Sequence, residues 1–110
     1  MSDKERYQYI LKHYNELLDE ADAYRKESLS KVEALVLKKA IYMDLFQIGE
    51  HINHMSEEVQ SRINHNDVRG IIDTRNIIGH AYKEVDPEII WDSIDECCPK
   101  LISTLKELFE

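Results

Sequence analysis

Glycine and proline are scarce in this chain, which has three of the first and two of the second among its 110 residues. All-β proteins need many tight turns, and these two residues supply much of the backbone geometry of such turns. Their scarcity therefore argues against an all-β fold. The many leucine, isoleucine, glutamate and lysine residues instead favour helices. The length suits one domain, so we expect a single domain over residues 1–110.

Cysteine and long apolar runs are also rare. The two cysteines, Cys97 and Cys98, are neighbours, so they cannot easily bridge each other and they lack the spacing of a metal site. We expect reduced thiols and a cytoplasmic protein. No run approaches the ~18 apolar residues of a membrane span, and no signal-type segment begins the sequence. We therefore expect neither export nor contact with a membrane.

Positive charge is in deficit, because 14 Lys and Arg face 22 Asp and Glu, for a formal net charge of −8. This balance counts against non-specific binding of duplex nucleic acid, since neutralisation of phosphate supplies most of that affinity. The charge is uneven, however. Residues 62–83 carry four cations and two acids, a formal +2, so this segment is a mildly basic island on an acidic body.

Apolar residues recur at spacings of three and four, the pattern of amphipathic helices. The predicted helices cover about Asp3–Lys26, Lys31–Met55, Ser56–Ile63, Val68–His80 and Pro87–Phe109. Capping boxes begin the first two, at Ser2 with Glu5 and at Ser30 with Glu33. We expect a loop over residues 64–67, with Asn66 or Asp67 capping the next helix, and a kink or break at Pro99. The predicted fold is an all-α, up-down bundle of four main helices, not counting the short Ser56–Ile63 helix, or five if Pro99 divides the last.

The second predicted helix is apolar on two faces. One stripe contains Leu37, Ile41, Leu45, Ile48, Ile52 and Met55, and the other contains Val36, Ala40, Met43 and Phe46. A helix with two apolar faces must be covered on two sides. The bundle covers one, and a second subunit is expected to cover the other. The alternative is a central helix of a larger monomeric core, but little chain remains to build one.

The histidines of the first two predicted helices are not expected to bind a metal. His13 has no partner nearby in sequence and is expected to be a surface residue. Glu50, His51 and His54 have helical offsets that could hold a metal, but no second set of carboxylates accompanies them. We favour Glu50 as a supporting partner of the site described next, and we expect no metal and no cofactor.

The segment from Arg75 to Tyr82 places an arginine, a histidine and a tyrosine at fixed offsets, with Asn76 after the arginine. On an ideal helix, at about 100° per residue, Arg75 and Tyr82 share a face, whereas His80 lies about 140° from Arg75. Two arrangements could bring Arg75 and His80 together. Either the helix ends near Gly79 and His80 swings round, or the site combines residues from two subunits.

These residue types suit the chemistry of phosphate esters. An arginine binds phosphate oxygens with two donors and stabilises developing negative charge, and a histidine titrates near neutrality as a general base or acid. RNA brings its own nucleophile, the 2′-hydroxyl, so no metal is required. Asn76 can bind the phosphate or orient His80. The alternative is purely structural, with Arg75 capping carbonyls, His80 at a helix end and Tyr82 half-buried.

The segment Arg75-Asn76-Ile77-Ile78-Gly79-His80-Ala81-Tyr82 resembles the motif of the HEPN superfamily, in which an arginine precedes a histidine by a few residues. The form Arg-x4-His-x-Tyr is similar to the HepT-like toxin branch. Ile48-Gly49-Glu50, Val85-Asp86 with Trp91, and Cys98-Pro99-Lys100-Leu101 resemble other segments of that branch in the same order. Two departures are Cys98 for a leucine and His51 for an alanine, and neither touches the motif.

The resemblance implies an all-α homodimer whose facing motifs form a composite ribonuclease cleft. Arg75 and His80 would be catalytic, with Asn76 supporting. It implies a metal-independent endoribonuclease toxin of a type VII-like toxin–antitoxin pair, acting on RNA, with tRNA one candidate. It also implies a minimal nucleotidyltransferase antitoxin, in a hetero-oligomer with the toxin, that inactivates it by transferring AMP to Tyr82. Added charge and bulk there would repel RNA.

Two other functions remain open from the sequence. The chain could be a non-catalytic HEPN module, a nucleotide-binding or regulatory subunit of a nucleotidyltransferase, which an acidic surface fits equally well. It could also be a metal-binding bundle that uses Glu50, His51 and His54. Loss of RNA cleavage on substitution of Arg75 and His80 separates the first of these from the enzyme.

Overall fold

The computed structural model describes residues 1–26 and 28–110, and over these residues the chain is helical with no strand. The helices are α1 Asp3–Arg25, α2 Lys31–Asn53, α3 Glu57–Ser61, α4 His65–Ala81, α5 Pro87–Asp92 and α6 Cys98–Phe109. A 3₁₀ turn at Tyr82–Glu84 follows α4, and a π-helical turn at Ser93–Cys97 joins α5 to α6. The all-α prediction is confirmed. In the described part of the chain, no helix is both long and apolar enough to cross a membrane.

Both predicted capping boxes are present. The Ser2 hydroxyl accepts from the Glu5 amide at 3.1 Å, and the Glu5 carboxylate accepts from the Ser2 amide at 3.0 Å. Ser30 and Glu33 repeat this reciprocal pair at the start of α2. Each box satisfies two amides that a helix start leaves without partners. These local bonds explain why the two helix starts were predictable.

The start of α4 differs from the prediction. The expected loop over residues 64–67 is wrong, because α4 begins at His65 with Asn64 as its N-cap. The Asn64 side-chain oxygen accepts from the Asn66 amide at 2.9 Å, so the first turn already has its cap. Asp67 then lies inside that turn, where its charge complements the positive end of the helix dipole.

The last helix passes through Pro99 with a widened turn. Proline has no amide hydrogen to donate, so it interrupts an α-helical ladder. Just before it, the Cys98 amide donates to the Ser93 carbonyl five residues back, which is the π-helical pattern. The predicted interruption near Cys98 is therefore a π-helical turn between α5 and α6. The Cys98 side chain is fully buried, and burial raises the pKa of its thiol to about 12.

Helix α2 is the centre of the bundle, and it packs against α1 and against α4. Its first apolar stripe is buried, at Ile41, Leu45, Ile48 and Ile52. On the opposite side, Val36 is 59% exposed and Met43 is 57% exposed, and Val32 and Leu35 extend this face toward the start of the helix. One chain thus covers one of the two predicted apolar faces of α2.

The interface between α1 and α2 also contains polar side chains. His13 is not the surface residue expected from the sequence, because its Nδ1 lies 2.8 Å from Oδ1 of the buried Asp44. The partner belongs to α2, 31 residues later, so the sequence around His13 could not reveal it. Burial, assisted by the adjacent Asp44 carboxyl, raises the pKa of Glu20 to about 8.

The close approach of α2 and α4 depends on Gly49. A Cβ at this position would overlap the Cβ of Arg75, and it would lie 2.9 Å from the Arg75 Cγ and 3.3 Å from the Ile71 carbonyl oxygen. These atoms belong to the backbone or to the stem of a side chain, so they cannot move aside without shifting α4. Glycine is therefore required by the packing of the helix that carries Arg75.

We expect Gly49→Ala to lower the free energy of unfolding by about 1–3 kcal/mol, the usual cost of overpacking, although alanine is the better helix former by up to ~1 kcal/mol. Urea denaturation, monitored by circular dichroism, measures this change in the free energy of unfolding. Gly79→Ala is the matched control, because its Cβ would meet only the edge of the Phe46 ring, at 3.3 Å, and the Arg75 guanidinium beyond it, at 3.9 Å. Equal stability of the two variants would contradict the prediction.

Candidate active site

The side chain of Arg75 crosses from α4 to α2. Its Nε donates to Oε1 of Glu50 at 2.6 Å, and its Nη1 donates to Oδ1 of Asn76 at 3.1 Å. The guanidinium carbon lies 4.7 Å from the centre of the Phe46 ring. A charge-assisted bond and a cation–π contact hold the planar group in one orientation. Glu50 and Asn76, both expected to support the site, thus contact Arg75 directly.

The rest of the guanidinium is available to a ligand. About a quarter of the Arg75 side chain is exposed, and within residues 1–26 and 28–110 its Nη2 makes no hydrogen bond. Asn76 is exposed and uses its side-chain oxygen on Arg75, which leaves its NH₂ group to donate elsewhere. Both residues can therefore present donors to the same anion, as recognition of phosphate requires.

His80 lies in the last turn of α4 and is exposed. The helix continues through it to Ala81, so the arrangement in which the helix ends near Gly79 and His80 swings toward Arg75 is wrong. A regular helix keeps the two side chains on different faces. In the described residues no hydrogen bond or ion pair joins His80 to Arg75. One chain therefore does not bring the two expected catalytic residues together.

Tyr82 begins the 3₁₀ turn after α4 and is 38% exposed. Its ring meets the ring of Tyr42 edge-on, with the ring centres 5.7 Å apart. Tyr42 itself is buried in the core. This contact anchors the Tyr82 ring at the surface of the bundle, on the α2 side.

An open apolar groove of about 520 Å³ runs between α2 and α4. It is lined by Lys39, Tyr42, Met43, Phe46, Ile78, Gly79 and Tyr82. A second, more polar pocket of about 250 Å³ lies beyond Phe46, and it includes Arg6, Glu50, His51 and His54. Phe46 lines both, and the Arg75 guanidinium lies over its ring.

The sequence interpretation missed Phe46 as part of the site, and it missed the groove residues Lys39 and Tyr42. A signal for Phe46 was available. Phe46 precedes Glu50 by four residues on α2, so the two share a helix face, and a partner of Glu50 would also meet the ring. Lys39 and Tyr42 carry no comparable signal, because their position depends on how α4 packs.

In the part of the chain that the structure describes, Glu50, His51 and His54 do not form the alternative metal-binding cluster, because each has another partner. Glu50 is paired with Arg75, and Nδ1 of His54 is 2.8 Å from the Glu50 carbonyl oxygen. His51 stacks on Tyr9 and lies 3.3 Å from a guanidinium nitrogen of Arg6. Burial, followed by the Arg6 charge, lowers the pKa of His51. Among the described residues, ligand-type side chains gather instead at His13, Glu16 and Asp44.

The comparisons with known proteins identify the family. A comparison with curated proteins and one with solved structures gave no match. A scan against family models matched the model described as "Ribonuclease HepT-like" over residues 10–108. The match covers nearly the whole chain, including α2, the Arg75–Tyr82 segment and the final helix. The chain therefore belongs to the HepT-like ribonuclease family.

Proposed function

We propose that the protein is a metal-independent endoribonuclease in which Arg75 and His80 are the catalytic residues. The observation that carries the proposal is the fixed guanidinium of Arg75. Glu50 and Phe46 orient it, and about a quarter of its side chain is exposed. Because Glu50 binds Nε, the Nη groups remain for the two non-bridging oxygens of a phosphate. Glu50 is thus a positioning residue, and Arg75 is the group that contacts the substrate.

The proposed reaction is transesterification within RNA. His80 accepts the proton of the 2′-hydroxyl while its oxygen attacks the adjacent phosphorus. The new bond joins phosphorus to the 2′-oxygen, and the bond to the 5′-oxygen breaks. The leaving oxygen takes a proton from an imidazolium, and the product is a 2′,3′-cyclic phosphate. Arg75 stabilises the negative charge that develops on the phosphoryl oxygens, and Asn76 adds a further donor.

A composite site in a homodimer accounts for the separation of Arg75 and His80. The exposed apolar face of α2, with Val36 and Met43, borders the groove that leads to Arg75. Burial of this face against a second copy would remove a surface that a monomer exposes to water. Facing copies could then place Arg75 of one chain opposite His80 of the other, around one phosphate.

We further propose that the protein is the toxin of a type VII-like toxin–antitoxin pair in the cytoplasm, with tRNA a candidate target. Its antitoxin would be a minimal nucleotidyltransferase that joins it in a hetero-oligomer. That partner would transfer AMP from ATP to Tyr82. The Tyr82 oxygen attacks the α-phosphate, pyrophosphate leaves, and the phenolic proton is released. The exposed position of Tyr82 on the groove supports this assignment, because a nucleotide there would fill the path to Arg75.

We expect His80→Ala to slow RNA cleavage by about 10²–10⁴-fold, through loss of the general base, and Arg75→Ala by about 10²–10³-fold. Glu50→Gln should give a smaller loss. The assay follows total tRNA and a fluorescent single-stranded oligoribonucleotide in EDTA. A 2′-O-methyl oligonucleotide should resist cleavage.

Arg69→Ala and His65→Ala are matched controls, because both side chains are exposed on α4 outside the motif. They should retain wild-type activity. Cleavage that survives in both Arg75→Ala and His80→Ala would refute the catalytic assignment and favour the non-catalytic, nucleotide-binding alternative.

The composite site predicts a dimer in which inactive chains complement each other. Co-expressed Arg75→Ala and His80→Ala chains should regain cleavage, because one of the two sites in a mixed dimer then has both residues intact. Met43→Glu should convert the dimer to a monomer in light scattering, whereas Leu18→Glu, on α1, should not. Absence of complementation in a confirmed mixed dimer would exclude the composite arrangement.

Tyr82 should be the site of AMP transfer. After co-expression with a nucleotidyltransferase encoded beside its gene, the protein should gain the mass of one or more AMP groups and lose ribonuclease activity. Tyr82→Phe should remain unmodified and active. Tyr9→Phe is the control, since Tyr9 is at least as exposed as Tyr82 but lies on α1, and it should be modified normally. Modification of Tyr82→Phe to the same extent as the wild type would show that Tyr82 is not the site of AMP transfer.

A further inference from the structure

A second group of reactive side chains lies between α1 and α2. His13 and Glu16 stand one turn apart on α1, and Asp44 faces them from α2. Each offers one ligand atom, and these atoms all lie within 4.8 Å of one another. Nδ1 of His13 is 2.8 Å from the Asp44 carboxylate and 3.9 Å from that of Glu16. None of the three belongs to the motif proposed for catalysis.

Glu20 adds a fourth group. It follows Glu16 by four residues on α1, so both lie on one face of the helix. Burial, together with the adjacent Asp44 carboxyl, raises the pKa of Glu20. Its Oε1 atom is buried and has no hydrogen-bond partner in the part of the chain that the structure describes. A buried oxygen of this kind is costly unless another group satisfies it.

The charges of the cluster are unbalanced. The Glu16 and Asp44 carboxylates face one imidazole, and over residues 1–26 and 28–110 neither forms an ion pair with a lysine or arginine. Buried carboxylates are tolerated when a cation pairs with them or when they bind a metal. A cation held among His13, Glu16 and Asp44 would offset this charge.

We propose that His13, Glu16 and Asp44 form a binding site for a divalent transition-metal ion, with Zn²⁺ as the ligand that fits best and Glu20 beside it. One imidazole and two carboxylates are a mixed nitrogen and oxygen set, and a water can complete the tetrahedral geometry that zinc prefers. Ligand atoms about 2.0–2.1 Å from zinc lie roughly 3.3–3.5 Å apart. The two separations from the His13 Nδ1 atom, 2.8 Å and 3.9 Å, bracket this value.

The site would join α1 to α2 and would bind only the folded chain. Its inner wall is the buried Asp44, whereas the Glu16 side chain is 48% exposed and gives the ion a route from solvent. A ligand that binds the native state alone stabilises it in proportion to its saturation. The expected role is therefore structural and independent of the proposed ribonuclease chemistry.

The test uses the tag-free full chain, stripped of metal and titrated with ZnCl₂ by calorimetry and thermal unfolding. We expect one equivalent to bind, and the unfolding temperature to rise by roughly 10 °C when zinc exceeds its dissociation constant about a hundredfold. His13→Ala and Glu16→Gln should each weaken binding at least about tenfold. His65→Ala removes an exposed histidine of α4 and should bind zinc like the wild type.

Three results would overturn the proposal. The first is no zinc-dependent stabilisation of the wild type. The second is undiminished binding in Glu16→Gln, which decides the question even if His13→Ala fails to fold, because Glu16 is half-exposed. The third is equal stabilisation by MgCl₂, which would indicate a non-selective acidic surface. None of these readouts depends on RNA cleavage, so failure of this site and failure of the proposed enzyme are distinguishable.

Discussion

The contact between α2 and α4 at Gly49 and Arg75 is the constraint on which the rest of the site depends. Because Gly49 has no side chain, α4 approaches α2 closely enough for the Arg75 stem to rest on the α2 backbone. From there the guanidinium reaches Glu50 and crosses the Phe46 ring. A larger residue at position 49 would move α4, and with it every residue of the motif. The pair Gly49 and Arg75 therefore sets both the packing of α4 on α2 and the position of the guanidinium.

The same packing separates the two residues that the chemistry needs. Since α4 remains helical through Ala81, the face that turns Arg75 toward α2 turns His80 toward solvent. An exposed apolar face on α2 lies beside the groove that leads to Arg75. These two observations have one explanation in the proposed dimer, in which the second copy covers the apolar face and contributes the missing side chain.

Polar groups are divided between the two sides of α2. On the α4 side, the charge of Glu50 is balanced by Arg75. On the α1 side, His13 is the basic group that accompanies Asp44, Glu16 and Glu20. The first arrangement orients a cation toward a substrate. The second concentrates carboxylates around one imidazole, which is the arrangement that a metal ion would satisfy.

The positions of the helices and of the motif follow from local sequence. Capping boxes at Ser2 and Ser30 and apolar spacing depend on neighbours within four residues, so they were predictable, and the resemblance of Arg75–Tyr82 pointed to the family that the comparison then identified. The start of α4 was misplaced by a few residues, because several polar residues there could have capped it. Which side chains meet depends on how the helices pack. The pairing of His13 with Asp44 and the position of Phe46 beneath Arg75 join residues on different helices, and such contacts depend on how helices pack, which local spacing does not encode.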